Sequence, residues 1–201
     1  MAKVKLTKNE LKAQRDALQR FTRFLPTLQL KKQQLQLETR KARRELRELE
    51  EEDKQFRKNL DEWIHLIDQS HGDELKKYVK VKSLEVETRN IAGIDTPVFK
   101  ELVFEDADMD FFSTPVWYDE ALETIKKLAE LRLKYQILEE RLSALEDELR
   151  ITTQRVNLFE KVKIPEAREN IRTIQIYLGD QQTAAVGRAK IAKRKTQALR
   201  Q

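Results

Sequence analysis

The sequence predicts a mainly α-helical protein: a long antiparallel two-helix left-handed coiled coil with a short β-hairpin insert at its bend end. Three observations predict it. Of 201 residues, 37% are charged and Gly and Pro number only four each, a composition of long helices with few turns. Apolar residues recur every seven positions in two separate stretches, which is the spacing of a coiled coil. Between those stretches the pattern changes to alternation, the period of a strand. Sandwiches, doubly wound sheets and (β/α)8 barrels need more turns than this chain supplies, and 39% hydrophobic content in periodic columns argues against disorder.

The first helix, read over residues 6–71, opens on Thr7-Lys8-Asn9-Glu10, a capping box with Thr7 at the N-cap. One apolar column runs Phe21, Leu28, Leu35, Ala42, Leu49, Phe56, Trp63. Its partner column runs Leu11, Leu18, Leu25, Lys32, Thr39, Leu46, Asp53, Leu60, Ile67. Lys32, Thr39 and Asp53 interrupt that second column and could fix the register of the pair. His71-Gly72 serves as the stop.

Residues 76–113 read as a hairpin insert followed by an acidic turn. Val79, Val81, Leu84, Val86 and Thr88 alternate with charged residues, and Val98–Phe104 follows as a second strand. The segment Asn90–Pro97 is expected to connect them. A two-stranded ribbon is marginal alone and must pack on something.

The second helix, read over residues 115–200, starts with Thr114 at the N-cap and Pro115 at the first helical position. Its columns are Leu128, Tyr135, Leu142, Leu149, Val156 and Leu131, Leu138, Leu145, Thr152, Phe159. The stripe then resumes one residue late, as Ile164, Ala167, Ile171, Ile174, Leu178. Such a skip changes the winding locally. If Ile67 pairs with about Glu120, partner numbers add up to between 187 and 191, and Thr39 meets Thr152. Pro26 and Pro165 then lie at one height, where a paired bend is expected. Residues 179–201 extend beyond the pairing.

Charge is distributed in blocks. Residues 1–47 carry a net +10, residues 48–148 a net −13 and residues 149–201 a net +8, which makes +5 for the whole chain. A positive tip and a negative base select partners and steer docking.

No catalytic constellation is present. The two histidines, His65 and His71, fit no zinc spacing. Asp106-Ala107-Asp108-Met109-Asp110 begins like a calcium loop, but Phe111 and Trp117 occupy the places that need Gly and Glu. Phosphate-binding and nucleophile-elbow motifs are missing, and no cofactor is expected. Without cysteine there is neither a disulfide nor a thiolate metal site. The basic stretches lack stacking aromatics, so nucleic acid is not the expected partner. The start has no apolar core of a signal peptide, and no run nears 18 apolar residues, so no direct membrane insertion is expected.

The run Arg155-Val156-Asn157-Leu158-Phe159-Glu160-Lys161-Val162-Lys163-Ile164-Pro165, followed by Ile171 and Ile174, resembles the R-V-N-x-x-E-x-x-x-I-P…I-x-x-I signature of the D subunits of V-type and A-type ATPases. Asn90-Ile91-Ala92-Gly93-Ile94-Asp95-Thr96-Pro97 is similar to that family's N-(V/I)-x-G-V-x-x-P stretch, and Leu28, Lys31, Lys32 and Leu35 to its L-L-K-x-K-R-x-x-L region. Phe24 stands where the family usually has Gly, and Gln181–Ala185 replaces its E-R-E-E stretch. The resemblance implies a non-catalytic central rotor shaft on the cytoplasmic face of a membrane. Its paired ends would enter the ring of catalytic A and B subunits, through Arg155, Asn157, Ile164, Pro165, Arg188, Lys190, Lys193, Arg194 and Lys195. Its lower part would bind the F subunit and rest on a linker protein above the membrane rotor ring, through Asn90, Gly93, Pro97 and Trp117. A free-standing coiled-coil scaffold or tether is the alternative, with a basic nucleic-acid-binding arm behind it.

Overall fold

The computed structural model describes residues 4–61, 78–105 and 117–198. It contains a first helix α1 (Lys8–Asp61), strands β1 (Val81–Ile91) and β2 (Ile94–Phe104), helix α2 (Tyr118–Leu158), a π-helical turn (Phe159–Lys163) and helix α3 (Ile164–Ala198). The fold is thus a long helix pair carrying an antiparallel hairpin, as the periodicity predicts. Trp63, His65, Ile67, His71, Gly72, the Asp106–Asp110 turn and the Thr114–Pro115 cap lie outside the described residues.

Half of the predicted capping box is present. The Glu10 backbone N–H donates to Thr7 Oγ1 at 3.3 Å, while Glu10 Oε1 accepts from Gln14 Nε2 at 2.8 Å. The helix start is therefore held by the threonine.

The chain divides into two compact units. One comprises Gln33–Arg150, and the other joins the residues up to Lys32 to those from Ile151 on.

In the Gln33–Arg150 unit, Leu35, Ala42, Leu138 and Leu145 are buried together, with Leu46, Leu49, Leu142 and Leu149 packed around them. These are column positions of both helices. Cross-helix polar contacts fix the direction. Arg43 Nη2 lies 2.7 Å from Glu146, Arg141 Nη1 3.4 Å from Glu45, and Tyr135 Oη 3.5 Å from Glu50. Each pair's numbers add up to between 185 and 189, so the helices run antiparallel near the expected register. Burying a Leu side chain in such a seam is worth about 2 kcal/mol.

Of the three polar interruptions, only Thr39 is truly inside, at 3% exposure. Lys32 and Asp53 stay half-buried, and Asp53 pairs with Arg57 at 2.8 Å. Thr39 Oγ1 is buried without a hydrogen-bond partner.

The hairpin differs from its sequence reading in its turn. The expected connection Asn90–Pro97 is mostly strand, and only Ala92 and Gly93 lie between the strands. Both have positive φ, +52° and +83°, the signature of the two-residue turn whose twist matches paired strands. The Asn90 side chain holds it: its Oδ1 accepts from the Gly93 N–H at 3.1 Å, and its Nδ2 donates to Asp95 at 2.6 Å. Pro97 sits within β2 opposite Thr88. The tip residues Ile91, Ala92 and Ile94 pack against the helix-pair core. Along β2, Lys134 Nζ stands 5.2 Å from the Phe99 ring centroid, and Lys126 Nζ 5.8 Å from that of Phe104. The ribbon therefore lies back along α2, which meets its need for a supporting surface.

In the other unit, Val156, Ile164, Ala167 and Ile174 are buried. Val156 and Ile164 are eight residues apart where a heptad gives seven. The π-helical turn Phe159–Lys163 absorbs that extra residue, with the Ile164 N–H bonding Phe159 O five residues back. Pro165 follows at once, so its missing N–H falls where the regular ladder is already broken. Phe159 in that turn meets Phe21, their ring centroids 5.1 Å apart. The contact corrects the proline expectation. The two contacting residues add up to 180, short of the 191 that would set Pro26 level with Pro165, so the prolines do not share one height. Pro26 stays inside the unbroken α1.

Thr39→Val should raise unfolding stability by about 1 kcal/mol, read from urea denaturation, because it removes a buried hydroxyl that lacks a partner. Gly93→Ala should lower it by about 1 kcal/mol in the same assay. Nothing lies within 4 Å of the added methyl, so the cost is the left-handed backbone alone.

Candidate functional site

Among the described residues no group of three or more His, Asp or Glu is placed to hold a metal ion, and the features that stand out are surfaces. Two stand out, one in each compact unit.

The first is the far part of α3. Ile174 is the last buried residue of the chain's described part, and Leu178 is half-buried. From Gly179 to Ala198 every residue but the half-buried Gly187 is exposed, although the helix continues. The apolar stripe that would hold it to a neighbour has stopped. Residues 179–201 carry six Lys or Arg against one Asp, a net +5. Arg188, Lys190, Lys193, Arg194 and Lys195 are all exposed, and none has an ion pair among the described residues. Val186 and Ile191 stand out among them at 57% and 59% exposure. A helix with this surface fits an acidic partner that also offers apolar contact.

Arg155 and Asn157 are exposed on the last turn of α2, just before the π-helical turn, and Pro165 is exposed just after it. Ile164 is different. At 8% exposure its side chain is buried in the chain's own core. The structure thus brings Arg155, Asn157 and Pro165 to the two ends of one short irregular turn. The charged residues 188–195 lie more than 20 positions further along the helix.

The second surface is the hairpin. Ten of the eleven residues of β1 are exposed. Val81, Leu84 and Val86 stand at 51%, 41% and 43% exposure and pair across the ribbon with Phe104, Leu102 and Phe99. Their alternation is visible in the sequence, but which of the two strands is left bare depends on how the ribbon lies. An exposed apolar strand at a sheet edge is a template for a partner. Two bulges interrupt the pairing, between Val81 and Ser83 and between Glu85 and Val86. Lys100 beside the second one donates to Glu85 at 2.9 Å, which raises its pKa above the ordinary lysine value. Asn90 and Gly93 share the tip through their hydrogen bond, and Pro97 is half-buried further down β2. Trp117 is not with them. It packs against Tyr118, with ring centroids 4.9 Å apart, beside the cluster of Tyr118, Ala121 and Leu122 at the start of α2.

Comparison with known proteins decides what these surfaces belong to. The family model for the D subunit of ATP synthase matches residues 10–194. The chain belongs to the ATP synthase D-subunit family. It is 46% identical over 193 residues to the V-type ATP synthase D subunit of Borreliella burgdorferi, covering 96% of this chain and 95% of that one. It is 34% identical to the proteins of the same name from Chlamydia pneumoniae, over 96% of this chain and 92% of that one, and Chlamydia trachomatis serovar L2, over 98% and 97%. Membership makes it a central-stalk rotor component of a V-type ATP synthase, and a free-standing scaffold is not favoured. Among the described residues no helix is long and apolar enough to cross a membrane.

The basic residues of α3 contribute no buried side chain. Changing Lys190, Lys193, Arg194 and Lys195 together to Glu should move the unfolding free energy of the isolated chain by no more than about 0.5 kcal/mol, read by chemical denaturation.

Proposed function

We propose that this chain is a non-catalytic axle that carries torque between the nucleotide-hydrolysing or -synthesising head and the ion-translocating membrane ring, on the cytoplasmic face. Within a central-stalk family, the observation that carries this reading is the division of α3. Its buried stripe ends at Ile174 while the helix runs on, exposed and basic, through Ala198. That end buries no side chain among the described residues, and a long helix with no packed neighbour is stable only marginally in water. A sleeve formed by the catalytic A and B subunits would cover it, with Arg188, Lys190, Lys193, Arg194 and Lys195 facing acidic residues of the sleeve. Arg155, Asn157 and Pro165 would meet the head lower down, with Ile164 supporting them from inside.

Torque requires that twist applied at one end reach the other with little internal slip. Close-packed seams resist such slip because any sliding separates contacts that have no alternative partners. The lower contacts, to the F subunit and to the linker protein above the rotor ring, fall to the hairpin and the start of α2. Asn90, Gly93, Pro97 and Trp117 are their proposed residues, with the bare apolar row of β1 beside them.

Removing residues 179–201 tests the reading in the purified complex. ATP hydrolysis should persist while ATP-driven ion uptake into vesicles falls to a small fraction of the wild-type value. Coupling that stays tight after the deletion would show that the tail carries no load.

A further inference from the structure

Two helical surfaces of this chain, one in each compact unit, match each other in charge and in spacing. Gln33–Arg150 carries a net −9 and the rest of the chain a net +14, which makes +5 for the whole. Within the acidic unit, residues 136–148 hold five acidic residues and one basic one. The basic one, Arg141, is nearly enclosed and reaches Glu45 and Glu38 of α1. Glu139, Glu140, Ser143 and Asp147 are exposed and, with Ala144, line an open groove along α2. Steps of three and four keep them on one face. Glu139 and Glu140 have no ion pair among the described residues, and Asp147 has an exposed contact to Arg150 at 3.1 Å, of a kind that contributes little. In the basic unit, Arg188, Ile191 and Lys195 share a face of α3 by the same steps and are all exposed, Ile191 at 59%. Arg188 and Lys195 are seven residues apart, and so are Glu140 and Asp147. Both intervals are about two helical turns, roughly 10 Å at 1.5 Å per residue. A bulky Ile stands between the cations, and the small Ser143 and Ala144 stand between the carboxylates.

We infer that free copies of this chain dock head to tail, the basic end of α3 of one copy lying antiparallel on the acidic face of α2 of another. Ile191 seats over Ser143 and Ala144, Arg188 meets Asp147 and Lys195 meets Glu140. Helix macrodipoles favour the antiparallel direction. The contact covers Ile191 and gives the end of α3 a packed neighbour, which a helix in water needs. It is heterologous, each copy offering one surface and receiving on the other. A second copy is the occupant because both halves of the contact, with equal spacing and opposite sign, are on this one chain. An anionic polymer would engage the cations but leave Ile191 and the carboxylates unused. The bare row of β1 suits a copy less, because two bulges break its edge. The inference stands without the axle reading. Where both hold, a basic end taken up by another copy is withheld from the head, so self-docking competes with assembly.

The test uses the purified full chain. Analytical ultracentrifugation at about 50 mM salt should show association that weakens at least about tenfold at about 500 mM. Glu140→Lys with Asp147→Lys should abolish it, and so should Arg188→Glu with Lys195→Glu. An equal mixture of the two reversed chains should associate again, within about threefold of the wild-type affinity, because one keeps the native basic end and the other the native acidic face. Glu51→Lys with Glu101→Lys, an equal charge change elsewhere in the acidic unit, should leave association within about threefold of the wild type. The chain has no cysteine, so Ser143→Cys in one copy and Ile191→Cys in another should form a mixed disulfide in preference to either like pair. A chain that stays monomeric at about 100 μM in low salt, association that survives either reversal, a mixture that fails to associate, an equal loss from the control pair, or no preference for the mixed disulfide would overturn the inference. So would association abolished by nuclease, which would make nucleic acid the occupant. Each of these outcomes leaves the axle reading intact, since that is tested by the tail deletion in the complex. Circular dichroism of each variant checks that the helices are retained, and the disulfide reads the contact independently of the charge reversals.

Discussion

A helix can keep a narrow apolar stripe against a neighbour only while its side chains stay in phase with that neighbour. Everything else in this protein follows from that constraint. Where the heptads of both helices hold, Leu35, Ala42, Leu138 and Leu145 close into a dry seam. Where the phase slips by one residue, the backbone gives way instead of the core. The π-helical turn at Phe159–Lys163 takes up the extra residue, and Val156 and Ile164 are both buried on either side of it. Keeping those side chains packed outweighs a few poorer backbone hydrogen bonds, since each large apolar group contributes about 2 kcal/mol. Phe159, inside the irregular turn, still finds Phe21.

The same constraint explains where interaction surfaces arise. When the stripe ends, as it does past Leu178, the helix is released from internal packing and its residues become available to a partner. The hairpin is the complementary case. It cannot stabilise itself, so it borrows the helix pair through Ile91, Ala92, Ile94 and two lysine–aromatic contacts. Borrowing with one strand leaves the other, β1, uncovered. Two surfaces are thus left open, one on α3 and one on β1.

Buried polarity within the seam is sparing and uneven. Arg141 is nearly enclosed, at 11% side-chain exposure, and reaches two glutamates of the opposite helix. Such a pair contributes little net stability, since desolvation offsets most of the attraction, but losing one partner is costly. Thr39 has no partner for its hydroxyl. Tyr135 near Glu50 is pushed above the ordinary phenol pKa, first by burial and then by the charges of Glu139 and Glu50. These groups mark heights along an otherwise repetitive seam, where one Leu layer resembles the next.

By itself the sequence determined the two helices, their antiparallel pairing near the observed register, the hairpin between them, the one-residue phase slip and the basic end. All are written in local spacing: a period of 3.5, a period of 2, an eighth residue where seven are expected, and blocks of charge. The R-V-N…I-P run carried the family. Only the tertiary structure decided the rest. That the slip becomes a π-helical turn, that Pro26 and Pro165 lie at different heights, that Asn90–Pro97 closes into a two-residue turn, and that Ile164 is spent inside the fold all depend on which surfaces meet. A cavity under β2 depends on it most of all. Its walls come from residues 45–52, 97–99 and 134–141, and no local pattern records that three distant segments will enclose a space. Spacing along a chain specifies each element's faces, whereas the free energy of burial, shared among all the faces at once, chooses which of them are left open.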